Sequence, residues 1–272
     1  ADKIVPNIHI TLKGDVIYKN RLLMLDVIAN NNWERPIYFS GGAFGDDDYI
    51  WMKEFLQLEG VLYKLVPIRT PLDKNNPYEM GRIDGEKMYS IVMNWKWGNS
   101  GDSAIYHDVE TRRNGITYRS TLSRLANVLI EEGQYDKAEN VLDLAMEKMP
   151  VDYFEFYSLL EPFILYYYQI NKVEKARAVY QSVVRHYQEH LFFYSKLSYN
   201  KQEAIGDEIF SDLGRYRGLL DVLASFDNQE YTVVEAEKFN EYLQKFNFSD
   251  NQNDLLEVEE EIFNDDLLDS LD

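Results

Sequence analysis

The feature that most limits what this chain can fold into is a spacing of apolar and small residues between 119 and 150. Leu122, Leu125, Ala126 and Leu129 recur at helical intervals, and Gly133-Gln134-Tyr135 interrupts them. Ala138, Leu142 and Ala145 then resume the same period before Pro150. The spacing fits a unit of about 34 residues, made of two antiparallel helices joined by a short turn. Two helices cross closely only where the side chains between them are small, which assigns Ala126 and Ala138 to the crossing. Leu142 and Ala145 then face a neighbouring unit, because one helical pair cannot bury both of its faces.

This is a tetratricopeptide-like pattern. A second unit starts at Tyr157, with Leu160, Phe163, Ile164, Tyr167, Ala176, Tyr180 and Val183 in the equivalent places. It begins about one helical turn late for a strict period and predicts Pro162 inside a helix, kinking it. Asp152 and Glu155 upstream have the spacing of a capping box. A third, degenerate unit runs from about Tyr199, with Gly206 and Gly218 at the small positions and Ile209 and Val222 as core. Residues 232–246 read as a last amphipathic helix.

The first zone is mixed. Residues 18–29 read as a helix ended by Asn30, Asn31 and Asn32. Pro36-Ile37-Tyr38-Phe39 is a short strand closed by Gly41-Gly42, residues 49–58 a short helix, and residues 61–68 a strand. A Pro/Asn-rich loop over 70–78 follows, then a helix over 84–95 with Asp84 as N-cap, then a polar loop over 94–115. The expected architecture is α+β: a small N-terminal α/β module (1–115), an all-α tetratricopeptide-like array (116–246), and an acidic tail or capping helix (247–272).

With 47 acidic against 28 basic side chains, the net charge is -19. Duplex nucleic acid and anionic membrane surfaces are polyanions that most of such a surface repels, so no nucleic-acid partner is expected. From residue 246 onward there are acids but no Lys or Arg. Acids there alternate with Leu255, Val258, Ile262 and Phe263, as in a partner-binding peptide or a terminal capping helix. The chain has no cysteine, which removes disulfides, thiolate zinc sites, iron–sulfur clusters and Cys nucleophiles together. No apolar run approaches the roughly 20 residues of a membrane span, so no membrane insertion by this chain is expected. The abrupt start at Ala1, with no signal peptide, is expected of a segment of a longer protein.

Several residue groups invite chemistry. Asp46-Asp47-Asp48 lacks the alternating ligands of a calcium loop and reads as a solvated turn capping a helix. His186 and His190 share a helix face, yet their order is not that of a zinc protease, and they read as an exposed, unoccupied pair. The glycines at 41, 42 and 45 follow a strand without the spacing of a phosphate loop. Glu34-Arg35 reads as an ion pair rimming a strand. No paired carboxylates for glycoside hydrolysis are assignable. Trp33, Trp51, Trp95 and Trp97 with 21 Tyr supply stacking surface. Of these, Trp95-Lys96-Trp97 reads as the most exposed pair. No metal and no cofactor is expected.

Two motifs carry a resemblance. Asn32-Trp33-Glu34-Arg35-Pro36-Ile37-Tyr38-Phe39, followed by Phe55-Leu56-Gln57-Leu58-Glu59-Gly60-Val61-Leu62-Tyr63-Lys64-Leu65-Val66-Pro67-Ile68, resembles the soluble C-terminal region of the "domain of unknown function 2723" family of polytopic membrane proteins, abundant in Bacteroidetes. The resemblance covers residues 30–70. It implies a block of membrane helices elsewhere in the protein that is similar to GT-C glycosyltransferases, with an animal relative that is a protein O-mannosyltransferase. It also implies a periplasmic location, tethered to the inner membrane, and catalytic groups that lie outside this chain.

The function expected is a non-catalytic extracytoplasmic protein-interaction or substrate-presenting domain of a larger membrane protein of glycosyltransferase type. Its partner would be a protein or peptide, including the membrane part of the same polypeptide. The first helix of each repeat lines a concave groove in such arrays, which places Ser120, Ser123, Asn127, Ser158, Glu161, Leu165 and Tyr168 there. The alternative is a free-standing carbohydrate-active enzyme or sugar-binding module with its site in residues 1–115, around Trp33, Asp46, Asp47, Asp48 and Trp95.

Overall fold

The structure is a computed structural model that describes residues 3–12, 16–41, 45–72 and 80–246. The centre of the glycine-rich turn (42–44), most of the Pro/Asn-rich loop (73–79) and the acidic tail (247–272) lie outside the described residues. The chain is mostly helical, with one small antiparallel sheet near its start. It forms two compact units, Ala1–Glu155 and Phe156–Asp272.

The first unit begins with α1 (Lys19–Ala29), followed by β1 (Tyr38–Phe39), β2 (Leu56–Glu59) and β3 (Leu62–Leu65). The strands lie in the order β1-β3-β2, with Leu56 opposite Leu65 and Glu59 opposite Leu62. Gly60, at φ +66°, makes the tight connection between β2 and β3, where a left-handed residue is required. The helix expected over 49–58 does not form. Single 3-10 turns at Asp47–Tyr49 and Lys53–Phe55 flank Ile50 and Trp51, which are both left-handed, and β2 starts at once. All four residues of β2 are buried, so the strand has no polar alternation to reveal it.

Among the four is Glu59, whose carboxylate takes hydrogen bonds from Lys87 Nζ (2.5 Å), Gln57 Nε2 (2.8 Å) and the Tyr38 hydroxyl (2.8 Å). Burial pushes its pKa up, but the Lys87 and Tyr38 hydrogen bonds outweigh burial and hold it below the usual range. The pair joins β2 to α2 (Gly85–Met93), whose N-cap Asp84 accepts from the Lys87 amide, as the sequence predicts.

Next come α3 (Val109–Glu131), α4 (Tyr135–Lys148) and the single turn α5 (Val151–Phe154). α3 and α4 pack along each other, with Ala126, Ala138, Leu142 and Ala145 fully buried. Gly133, at φ +71°, makes the turn. The division at 115 expected from the sequence falls instead after Glu155, because this helical pair packs on α2. Arg124 donates to the Gly81 carbonyl (2.8 Å), Lys137 pairs with Glu86, and Asn140 donates to the Tyr89 hydroxyl (3.1 Å). Asp152 and Glu155 form no capping box. Asp152 is inside α5, and Glu155 and Phe156 are consecutive left-handed residues where the compact units divide.

The second unit opens with a 3-10 turn, Tyr157–Leu160, followed by α6 (Glu161–Gln169) and α7 (Val173–Ser195). Pro162 causes no kink, because α6 starts at Glu161 and proline fits a first turn. Then come α8 (Tyr199–Ala204), α9 (Gly206–Phe226) and α10 (Gln229–Leu243). The third helical pair is not formed as expected: Gly206 and Gly218 lie on the same helix, and a Cβ at either would meet nothing within 4 Å.

Ala126→Leu should lower the unfolding free energy by about 1–3 kcal/mol, since a close helix crossing has no room for added methylenes; chemical denaturation measures it. Glu59 is ionised in the fold at a depressed pKa, so its stabilisation is present above 4.5 and is lost as pH falls through the folded value. Glu59→Gln should therefore be less stable than the parent at pH 7, with the gap closing on acidification below 4.5; thermal melts from pH 7 to 3 compare them.

Candidate functional site

The loop expected over 94–115 ends earlier than its polarity implies. The Asp108 side chain accepts from the Thr111 amide and hydroxyl, both at 2.9 Å, and starts α3 at Val109. The added turns place Thr111, Asn114, Gly115 and Tyr118 on one helix face, at i, i+3, i+4 and i+7. Opposite them runs the chain that leaves α2. Trp95 N bonds to the Val92 carbonyl (3.1 Å), Ser100 N to the Trp97 carbonyl (3.3 Å), and Gly98 adopts φ +57°. His107 Nε2 meets the Ser100 carbonyl at 3.0 Å.

Between the two lies a cleft of about 340 Å³. Trp95, Trp97 and Tyr118 form one wall, with all three ring pairs 5.4–5.5 Å apart between centroids. Met149 and Phe154 also line it. Phe154 reaches its place because residue 115 is glycine: a Cβ there would stand 2.9 Å from the Phe154 ring. His107 packs on the same ring at 5.0 Å. Arg119, fully buried on α3, donates to the carbonyls of Met149 (2.8 Å) and Glu155 and so anchors the chain on either side of Phe154. Burial lowers the Arg119 pKa to about 10, which leaves it charged at neutral pH.

The cleft's polar edge is uneven. Trp97 Nε1 and Ser100 Oγ are buried and have no hydrogen-bond partner among the described residues. Both atoms are shut off from solvent, so a guest in the cleft would meet them only after a local shift of their side chains. The ionisable lining groups are Lys96, His107 and Tyr118, with no Asp or Glu among the described lining residues. The two-carboxylate geometry of glycoside hydrolysis is therefore unavailable to this lining.

The other expected residues are scattered. Trp33 lines a different hollow, with Arg35 and Lys64, and does not join Trp95. Asp47 and Asp48 pair with Arg21 at 3.3 and 2.5 Å, and Asp46 with Lys53 at 3.2 Å. Trp51 packs against the core of the first unit.

The groove residues fall in two compact units. In the first, Ser120 is exposed, Ser123 is buried, and Asn127 donates to Glu131 (2.8 Å). In the second, Ser158 and Leu165 are half-buried. Tyr168 there is buried with its hydroxyl on Asp227, and Glu161 accepts from Tyr187 and Arg215. Ser123 and Tyr168 are thus core residues rather than groove surface, and Glu161 is already engaged.

The histidine pair is half-buried, not exposed. His186 stacks on Tyr157 at 4.7 Å, and His190 Nδ1 meets Asp212 at 3.1 Å and Tyr157 at 3.2 Å. No group of three or more His, Asp or Glu side chains poised for a metal occurs among the described residues. Sequence reasoning found Trp95 and Trp97 but missed Ser100, His107 and Tyr118. The available signal was Asp108 with Thr111 three residues on, the mark of an earlier helix start.

Comparison with known proteins places a limit on what is inherited. Residues 1–87 match the model of a family described as TMEM260-associated domain 2, one linked to membrane-protein regions. No curated protein and no solved structure matches the chain. The chain is thus mostly helical and is similar over residues 1–87 to a membrane-protein-associated family. Among the described residues no helix is long and apolar enough to cross a membrane. The family match covers the sheet and stops at the start of α2, short of Trp95.

Arg119→Leu leaves two inward-facing carbonyls without their donor and should cost about 3 kcal/mol in unfolding free energy. Gly115→Val should displace Phe154 and perturb the near-ultraviolet circular dichroism of the Trp95–Trp97–Tyr118 group while leaving helix content unchanged.

Proposed function

We propose that this chain is a non-catalytic, substrate-presenting module of a larger membrane-associated protein, and that its cleft holds a saccharide. The observation that carries the reading is the Trp95–Trp97–Tyr118 wall, with Lys96, Thr111 and Asn114 lining the same cleft. Aromatic rings take the apolar C–H face of a pyranose, while the Thr111 hydroxyl and the Asn114 amide suit its hydroxyls. A lining without carboxylates fits holding a sugar better than cleaving one.

The finer architecture belongs to the same proposal. We read α3–α4 as a tetratricopeptide-like pair, supported by the buried Ala126 and Ala138 and the left-handed turn at Gly133. α6–α7, with buried Ala176, reads as its irregular second copy. The resemblance of residues 30–70 to the domain of unknown function 2723 family supports an extracytoplasmic site, tethered to the inner membrane beside a glycosyltransferase. A glycan or glycosylated peptide in the cleft would be that enzyme's substrate or product.

Glycan-array screening followed by calorimetry tests the reading. A binding saccharide should lose at least about tenfold in affinity, about 1.4 kcal/mol, with Trp95→Ala or Trp97→Ala, while the parent and variants keep the same melting temperature within a few degrees. An array without hits, or binding that both variants retain, overturns the saccharide. Hydrolysis or transfer by the chain alone overturns the non-catalytic role.

A further inference from the structure

Four polar residues of the two N-terminal motifs have no part in the cleft, and the sheet gathers them on one face. Tyr38 comes from the first motif, and Gln57, Glu59 and Lys64 from the second. Lys64 is opposite Tyr38 on one side and Gln57 on the other, and an isolated parallel bridge sets Arg82 beside Gln57. Tyr38, Lys64, Gln57 and Arg82 thus form one row across the sheet. Glu59 is two residues along β2 from Gln57 and faces the same way. This is the reverse of the face on which Leu56 and Leu65 enter the core. Gln57 and Glu59 make its floor, only 5% and 8% exposed, with Arg82 and Lys64 half-buried and Lys87 of α2 exposed.

Charge does not balance within this group, where Lys64, Arg82 and Lys87 share one carboxylate. Lys87 Nζ is 2.5 Å from Glu59 Oε1, and Lys64 Nζ is 3.9 Å from the same oxygen, too far for a hydrogen bond. Two ammonium groups are therefore drawn to one oxygen and repel each other across it. Glu59 has little capacity left for Lys64, because Gln57 and Tyr38 also donate to it, each at 2.8 Å. Arg82 has no carboxylate partner among the described residues, and its Nη1 donates to the neutral Gln57 Oε1 at 2.5 Å. Arg124, also without a carboxylate partner among them, donates to the carbonyl of Gly81, next to Arg82 (2.8 Å). The carboxylates around the start of α2 are engaged elsewhere. Asp84 accepts from the Lys87 amide, Glu86 pairs with Lys137, and Glu132, which lies against Gly85, accepts from Gln134. More distant acids are screened beyond about 10 Å in physiological salt.

The group's excess of two positive charges calls for a dianion. Donors spread over three long side chains fit an anion with several acceptor oxygens. A phosphate monoester has both properties, with a charge of about -1.5 to -2 at neutral pH and three acceptor oxygens. Tyr38 and Leu62, 43% and 41% exposed on the same face, offer the organic group of the ester an apolar seat.

We infer that the outer face of the β1-β3-β2 sheet binds a phosphate monoester, with the phosphate held by Lys64, Lys87 and Arg82 above Gln57. The site shares no residue with the lining of the saccharide cleft and does not depend on that reading.

Calorimetry and thermal melts of the 272-residue chain with phenyl phosphate and with inorganic phosphate, at neutral pH and constant ionic strength, test the inference. Phenyl phosphate should bind one to a chain and raise the melting temperature. Lys64→Gln/Arg82→Gln should weaken it at least about tenfold with an unchanged circular dichroism spectrum; Lys87 stays because it holds Glu59. Should the double variant not fold, Lys64→Gln alone is read in the same titration. Trp95→Ala should bind the ester as the parent does. No heat and no melting shift with the parent overturn the inference, as does equal affinity in the folded variant. Inorganic phosphate binding as tightly overturns the ester, and loss of binding with Trp95→Ala overturns the sheet site by assigning the anion to the cleft.

Discussion

The first unit depends on one guanidinium. Arg119 is carried on α3 and aimed at carbonyls beyond the end of α4, at Met149 and Glu155. Those carbonyls would otherwise be orphans at a helix end and in a turn, and a buried cation answers both with charge-assisted bonds. Its burial disfavours the charged form, yet a pKa near 10 keeps it charged at neutral pH. One consequence is local: Phe154, held between the two anchored carbonyls, lies on Gly115 and lines the cleft. The other is the position of the boundary between the compact units, which comes directly after the second anchor, at Glu155. Fold and candidate site therefore share a single constraint, and neither the repeat spacing nor the aromatic content reports it.

The second unit uses its tyrosines in another way. Tyr180, Tyr187 and Tyr216 are buried, and burial pushes their pKa values up. The hydroxyls of Tyr187, Tyr216 and neighbouring Tyr168 are held by polar groups elsewhere in the unit, whereas that of Tyr180 is buried with no hydrogen-bond partner among the described residues. Tyr187 is on Glu161, which Arg215 also grips, and Tyr168 is on Asp227, which Arg177 holds from two directions at 2.9 and 2.5 Å. Such networks fix helix register, because each partner satisfies the other only at one offset. This is why residues that look like a binding groove in the sequence, Glu161 and Tyr168 above all, are structural here.

How much was legible depended on whether the signal was local. α1, α2, its Asp84 cap and the α3–α4 pair follow from periodicity and capping alone. The strand at residues 56–59 did not, because a segment buried on both faces has no alternation, and its glutamate is explicable only through Lys87 in another element. The two glycines of α9 were misplaced for a related reason. Glycine marks a close approach only if something approaches, and nothing stands within 4 Å of either. In the cleft, the tryptophans were visible as an aromatic pair, but Tyr118 joins them only because α3 begins at Val109. A loop assignment set by polarity hid that face, and the Asp108–Thr111 cap would have exposed it.

The cleft is most informative for what an acid-rich chain keeps out of it. Acids outnumber bases 47 to 28 along the sequence, yet the described lining has Lys96 and His107 and no carboxylate. A lining drawn without regard to charge from such a chain would contain one or two. Their exclusion leaves aromatic faces with amide and hydroxyl groups. Carboxylates would strengthen cation binding and would permit general acid–base work. Their absence lowers the electrostatic cost of a neutral or anionic guest inside a protein whose long-range field is negative. A saccharide, neutral or carrying a phosphate or carboxylate, meets that requirement, and a cationic peptide does not. The surrounding acidity then acts against retention of an anionic guest once it leaves the aromatic wall, as the proposed presenting role requires.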